Sequence, residues 1–175
     1  MKIYLIRHGE TDDNKRGIYS GRRGDPPLNQ DGIRQAKETL NILPDDTDLI
    51  FCSSLKRVKQ TAEIINEKLK LPIIVNTDLD ERDFGKLTGL TTKEAKERHN
   101  VTDTKYNYDF RPFGGEAAED VKKRLNNFLQ YIKENCPTKN ILVITSAGII
   151  RLMHFILMGA TVEKIHNASI HEFDL

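Results

Sequence analysis

The chain has 175 residues, 38% of them hydrophobic, with 27 Lys and Arg against 26 Asp and Glu and a net charge of +1. That composition excludes an intrinsically disordered chain. The balanced charge leaves no electrostatic reason to expect nucleic acid or a membrane surface as partner. Cys52 and Cys136 are the only cysteines, too few for a disulfide framework or a thiolate metal site, and they fit a reducing, cytoplasmic compartment.

In chain order, residues 2–6 (KIYLI) predict a strand ending at Arg7-His8-Gly9, too short before its first charges for a signal peptide. Asn29 to about Leu43 reads as a helix stopped by Pro44, and residues 48–52 (DLIFC) as a second strand. Leu55, Val58, Ala62, Ile65 and Leu69 then fall on one helical stripe. A short strand follows at 73–75, and Thr91 with Glu94 forms a capping-box pattern opening a short helix. The segment 102–115, containing KYNYDFRPFGG, is the least regular; it reads either as a substrate-facing loop or as a packed excursion. Val121, Leu125, Phe128, Leu129 and Ile132 mark the buried face of a long helix. A fourth strand (140–145), a helix opening near Gly148 and an edge strand at 168–174 complete the pattern. The apolar run 149–160 carries Arg151 and His154 and is too short to cross a bilayer. Strands alternating with helices predict a single α/β domain over 1–175, a three-layer α/β/α sandwich with a mostly parallel central sheet.

Ligands of open α/β sheets bind beyond the carboxyl ends of the strands. Three such ends carry chemistry here: Arg7 to Thr11, then Ser53 and Ser54 with Arg57 in the following helical turn, then Thr145 to Gly148. Two guanidiniums, an imidazole, hydroxyls and helix N-terminal amides suit a phosphoryl group. No metal-ligand spacing is present, so neither metal nor cofactor is expected.

LIRHGET at 5–11, followed by Asn14, resembles the signature of the histidine phosphatase (phosphoglycerate mutase-like) superfamily. SGRRGDPPLNQDGIRQAK (20–37), SSLKRVKQTAEII (53–65), LDERDFGKLTG (79–89), GGEAAEDVKKR (114–124) and ILVITSAGIIR (141–151) are similar to further segments of that family, in the family's order. The resemblance implies His8 as a nucleophile that becomes a phosphohistidine, and Arg7 and Arg57 as clamps on the phosphoryl oxygens. It also implies Asn14 as a neutral donor and Glu81 as the acid and base. Where the family has a second histidine followed by two glycines, this chain has Ser146, Ala147 and Gly148. Ser146 and Ala147 join Arg7, Asn14 and Arg57 as expected phosphate-binding residues, but Ser146 brings no charge.

The leading expectation is therefore a slow phosphomonoester hydrolase acting on a small phosphorylated metabolite. A pseudophosphatase that binds such a ligand without turnover is one alternative, and a phosphoglycerate mutase-type phosphotransferase is another. The basic residues Arg16, Arg22 and Arg23 read either as a site for a second negative charge on the substrate or as a solvated loop. The substrate and the oligomeric state are not legible.

Overall fold

In a strand, successive side chains point to opposite faces, and the central strands here are apolar on both. The computed structural model describes residues 1–101 and 105–175, so the part of the aromatic-loop expectation that falls on 102–104 lies outside the described residues. The strands are β1 (Lys2–Arg7), β2 (Leu49–Cys52), β3 (Ile73–Val75), β4 (Ile141–Thr145) and β5 (Ile170–Asp174). Their order is β3-β2-β4-β1-β5. The first four are parallel, and β5 closes one edge antiparallel to β1.

On one face Ile3, Leu5, Phe51 and Val143 pack with Val121, Leu125 and Phe128 of α5 (Ala118–Asn135) and Ile149 and Met153 of α6 (Ala147–Met158). On the other, Tyr4, Ile6, Ile50 and Ile144 pack with Val58, Ala62 and Ile65 of α3 (Lys56–Leu69). Two cores separated by one sheet make the three-layer sandwich that the alternation of elements predicts.

The helix expected to run from Asn29 to Leu43 is shorter: α2 is Gln30–Thr39, with Asn29 accepting from the Gly32 amide as its N-cap. It ends before Pro44 because its last turn tightens. Leu40, Asn41 and Ile42 donate to Lys37, Glu38 and Thr39, three residues back instead of four. A one-turn helix α1 (Asp12–Arg16) was not expected; it is held by a reciprocal cap between Thr11 and Asn14. The start of α2 presses on the chain after β1. A Cβ on Gly9 would lie 2.3 Å from Gly32 O, so only glycine permits this approach.

The Thr91 and Glu94 capping box opens α4 (Thr92–His99) as expected. Of the two readings of the aromatic segment, its described part matches the packed excursion. Tyr108 and Phe110 are buried, stacked with ring centroids 5.1 Å apart, and Phe110 meets Phe84 edge-on at 5.0 Å.

Candidate active site

The sheet order brings the three strand ends together. Arg7 is the register partner of Thr145 and Cys52 that of Ile144, so β1, β4 and β2 end side by side. The His8 amide donates to Thr145 O at 2.9 Å and the Ser53 amide to Ile144 O at 3.2 Å, which continues the ladder one residue past each end.

His8 is only 3% exposed. Its Nδ1 lies 2.7 Å from Gly9 O. A carbonyl oxygen can only accept, so Nδ1 carries the proton and Nε2 presents its lone pair. Arg57 Nε donates to that Nε2 at 3.2 Å. Burial, then the charges of Arg57 and Arg7, hold the imidazole pKa well below its usual value. A neutral ring with a directed lone pair is the form a nitrogen nucleophile needs.

Arg57 sits in the first turn of α3 and is itself buried. Its Nη1 and Nη2 donate to Gly24 O at 3.0 Å and Gly21 O at 2.9 Å, fixing the guanidinium plane. Arg7 donates through Nη1 to Ile165 O at 2.7 Å. Desolvation lowers its pKa to about 10, opposed chiefly by Glu81, so it stays charged at neutral pH. Its Nε, Ser146 Oγ and Arg151 Nε are buried and have no hydrogen-bond partner among the described residues. Orphaned buried polar atoms are costly in the protein alone, and two of the three belong to guanidiniums that line the cleft, Arg7 and Arg151.

Asn14 lines the same cleft, which encloses about 380 Å³. Its Oδ1 accepts from Thr11 N at 3.2 Å and from Asn167 Nδ2 at 3.3 Å, which leaves its own amide hydrogens to donate elsewhere. Asn167 also donates to His8 O at 3.0 Å. Sequence reasoning missed Asn167: it lies on the connection between α6 and β5, and nothing in its neighbours signals a return to the site.

Glu81 forms part of the cleft wall. Its carboxylate accepts from Gly148 N at 3.1 Å and from Arg82 N at 2.9 Å. A Cβ at Gly148 would lie 2.3 Å from Glu81 Oε1, so the carboxylate can cap α6 only because residue 148 is glycine. Ser146 occupies the N-cap position without making a side-chain cap bond. It is buried behind the wall, and Ala147, Gly148 and Arg151 are what α6 presents to the cleft. Arg151 was read from sequence as a polar interruption of an apolar run; its spacing of four from Ala147 and three from Gly148 was the available signal.

Arg16, Arg22 and Arg23 do not form a free basic cluster. Arg16 pairs with Asp13 at 3.2 Å, Arg22 with Glu116 at 3.4 Å and Asp80 at 3.5 Å, and Arg23 with Asp83 at 2.8 Å. The partners of Arg22 and Arg23 lie 58 to 94 residues away, which is why the sequence did not show them. Among the described residues no three His, Cys, Asp or Glu gather as metal ligands, and no helix is long and apolar enough to cross a membrane.

Residues 3–175 match the family described as the histidine phosphatase superfamily (branch 1). The chain is 38% identical over 152 residues to the uncharacterized phosphatase PhoE of Bacillus subtilis, covering 86% of this chain and 74% of that one. It is 30% identical to a 2,3-bisphosphoglycerate-dependent phosphoglycerate mutase of Methylobacterium radiotolerans, covering 96% and 84%. The crystal structure of the alpha-ribazole phosphatase from Shigella flexneri superimposes with a TM-score of 0.86 at 26% identity, covering 100% of this chain and 91% of that one.

Proposed function

The chain belongs to the histidine phosphatase superfamily, and on that premise we propose that it is a phosphomonoester hydrolase that turns over a small phosphorylated metabolite through a phosphohistidine at His8. The observation that carries this reading is the His8 ring, with Nδ1 committed to Gly9 O and Nε2 directed at Arg57 in the cleft. In this reading Nε2 attacks phosphorus, the Nε2–P bond forms and the ester P–O bond breaks. Phosphoryl oxygens take over the N–H that Arg57 gives to Nε2, and Arg7 and Asn14 donate to the same oxygens. Glu81 protonates the departing oxygen, then takes a proton from the water that attacks the phosphohistidine. The likeness to PhoE supports water as the acceptor, and the likeness to a mutase keeps transfer to a second hydroxyl as the alternative. The paired basic loop and balanced charge support a small metabolite over a polyanion, and two free cysteines support a cytoplasmic setting.

The test is to trap the intermediate. Incubation with a labelled phosphomonoester and rapid quenching is expected to leave acid-labile, alkali-stable label on His8. His8→Ala is expected to remove both the label and the release of inorganic phosphate. Bound ester without label or turnover in the unaltered protein would establish the pseudophosphatase instead. Label that passes to an added alcohol in preference to water would establish the transferase.

A further inference from the structure

We propose that Arg151 is a further catalytic residue of this site, donating to the oxygens of the transferring phosphoryl group from the α6 side. The proposal rests on the phosphohydrolase reading above for what the group is, and on the following geometry for why Arg151 meets it.

Arg151 lies one helical turn past Ala147 and Gly148, and all three line the cleft. Long side chains on a helix lean back toward its N-terminus, so a residue in this position covers the start of α6. That start lies beside the ends of β1 and β4, against the Glu81 carboxylate. The Nε of Arg151 is buried and has no partner among the described residues. A buried guanidinium with an orphaned N–H is costly in the protein alone, and an anion in the cleft that this side chain lines offsets that cost through its charge.

The charge at the site points the same way. Arg57 already gives three N–H groups to His8, Gly21 and Gly24. Ser146, at the cap of α6, is neutral and buried behind the wall. Without Arg151, the α6 side would offer the phosphoryl group only backbone amides, one of which Glu81 already takes. The field of Arg151 reaches the same point: it lowers the Arg7 pKa more than Arg57 does. Glu163, which pairs with Lys105 at 2.9 Å, also lies within that field.

Arg151→Gln and Arg151→Lys separate charge from shape. Orthovanadate, which mimics the five-coordinate phosphorus, serves as a probe independent of turnover, with affinity read by calorimetry. Arg151→Gln is expected to weaken orthovanadate binding about 10- to 100-fold, the range for a lost charge-assisted bond. It is expected to lower kcat on phenyl phosphate about 10²-fold with little change in KM. Arg151→Lys should recover part of both, since it keeps the charge without the planar fork. Unchanged orthovanadate affinity and kcat in a folded Arg151→Gln would overturn the proposal. So would an effect confined to KM for esters bearing a second anionic group, because Arg151 would then read a remote substituent. Should Arg151→Gln not fold, Arg151→Met keeps an unbranched apolar stem without charge or donor and carries the test, and unchanged orthovanadate affinity and kcat in it would overturn the proposal in the same way. Failure of the phosphohydrolase reading looks different: no label on His8 in the unaltered protein, whatever the Arg151 variants do. If the unaltered protein binds no orthovanadate, both fall.

Discussion

At the scale of single residues, the proposed reaction divides its chemistry between His8 and Glu81. In that reaction the His8 Nε2 lone pair passes from the Arg57 N–H to phosphorus, and it is available because Gly9 O holds the proton on the other nitrogen. Glu81 has the opposite task in the proposed reaction, supplying a proton to a departing oxygen. That task matters only when the leaving group is a poor one. Glu81→Gln keeps an acceptor for the Gly148 amide, so α6 should stay capped. It is expected to lower kcat on an alkyl phosphate by about 10²- to 10⁴-fold, the usual contribution of a general acid. On 4-nitrophenyl phosphate, whose leaving group needs no proton, the loss in the first step should be small, and the remaining deficit should lie in hydrolysis of the phosphoenzyme. Steady-state rates across a series of leaving groups would check this. An equal loss on every ester in the burst phase would remove Glu81 from the role of acid.

At the scale of elements, the return from α6 to β5 braces the site as firmly as the strand ends do. Arg7 donates to Ile165 O through its side chain and to Ser169 O through its amide. Ala168 N returns a bond to Arg7 O at 3.0 Å. Its backbone has a φ of 57°, a conformation unfavourable for a residue with a Cβ. Outside the cleft a pair of histidines ties β5 to α6. Ser169 Oγ donates to His166 O, so it accepts from His171 Nε2 at 2.9 Å. His171 Nδ1 is then bare and accepts from His154 Nε2, also at 2.9 Å. This chain of bonds requires His171 to be neutral, because its Nδ1 lone pair accepts the His154 Nε2–H. Burial, then the neighbouring His154, push the His171 pKa down to about 4, and burial lowers His154. A base with a depressed folded-state pKa takes its proton more readily when unfolded. Stability is therefore fully present above the ordinary histidine pKa of about 6.5 and is lost as pH falls from there toward about 4. His171→Gln, which can donate to Ser169 and accept from His154 without titrating, is expected to flatten that acid limb by up to one proton. Unfolding midpoints measured from pH 7 to pH 4 would show it. An unchanged slope would mean that the pair does not sense pH, leaving buried His8 as the main cause.

At the scale of the whole molecule, what was legible in the sequence was what short-range pattern encodes. The apolar runs of β1, β2 and β4 and the charged residues after them gave the strand ends, and with them His8, Arg7 and Arg57. What the sequence hid is long-range. The pairing of Arg23 with Asp83 and of Arg22 with Glu116 joins residues far apart in the chain, so a paired surface looked like a basic cluster. Asn167 meets His8 and Asn14, and Arg151 meets the cleft, only because β5 turns back along β1 and α6 begins beside it. The same topology has a thermodynamic consequence. An anion between Arg7, Asn14, Arg57 and the start of α6 touches segments that only the folded sheet brings together, so it should bind the native state and not the unfolded chain. Inorganic phosphate at about 100 times its Kd is expected to add about 2.7 kcal/mol to stability, or roughly 5–10 °C in Tm for a domain of this size. Chloride at matched ionic strength should not reproduce it. Arg57→Lys loses the fork that fixes Gly21 and Gly24 and lowers Tm by itself, so the measurement to compare is the phosphate-induced shift within each variant. That shift should shrink by more than half in Arg57→Lys at the same phosphate concentration. A shift of undiminished size would place the anion elsewhere on the molecule and separate the stability of the fold from the site at its strand ends.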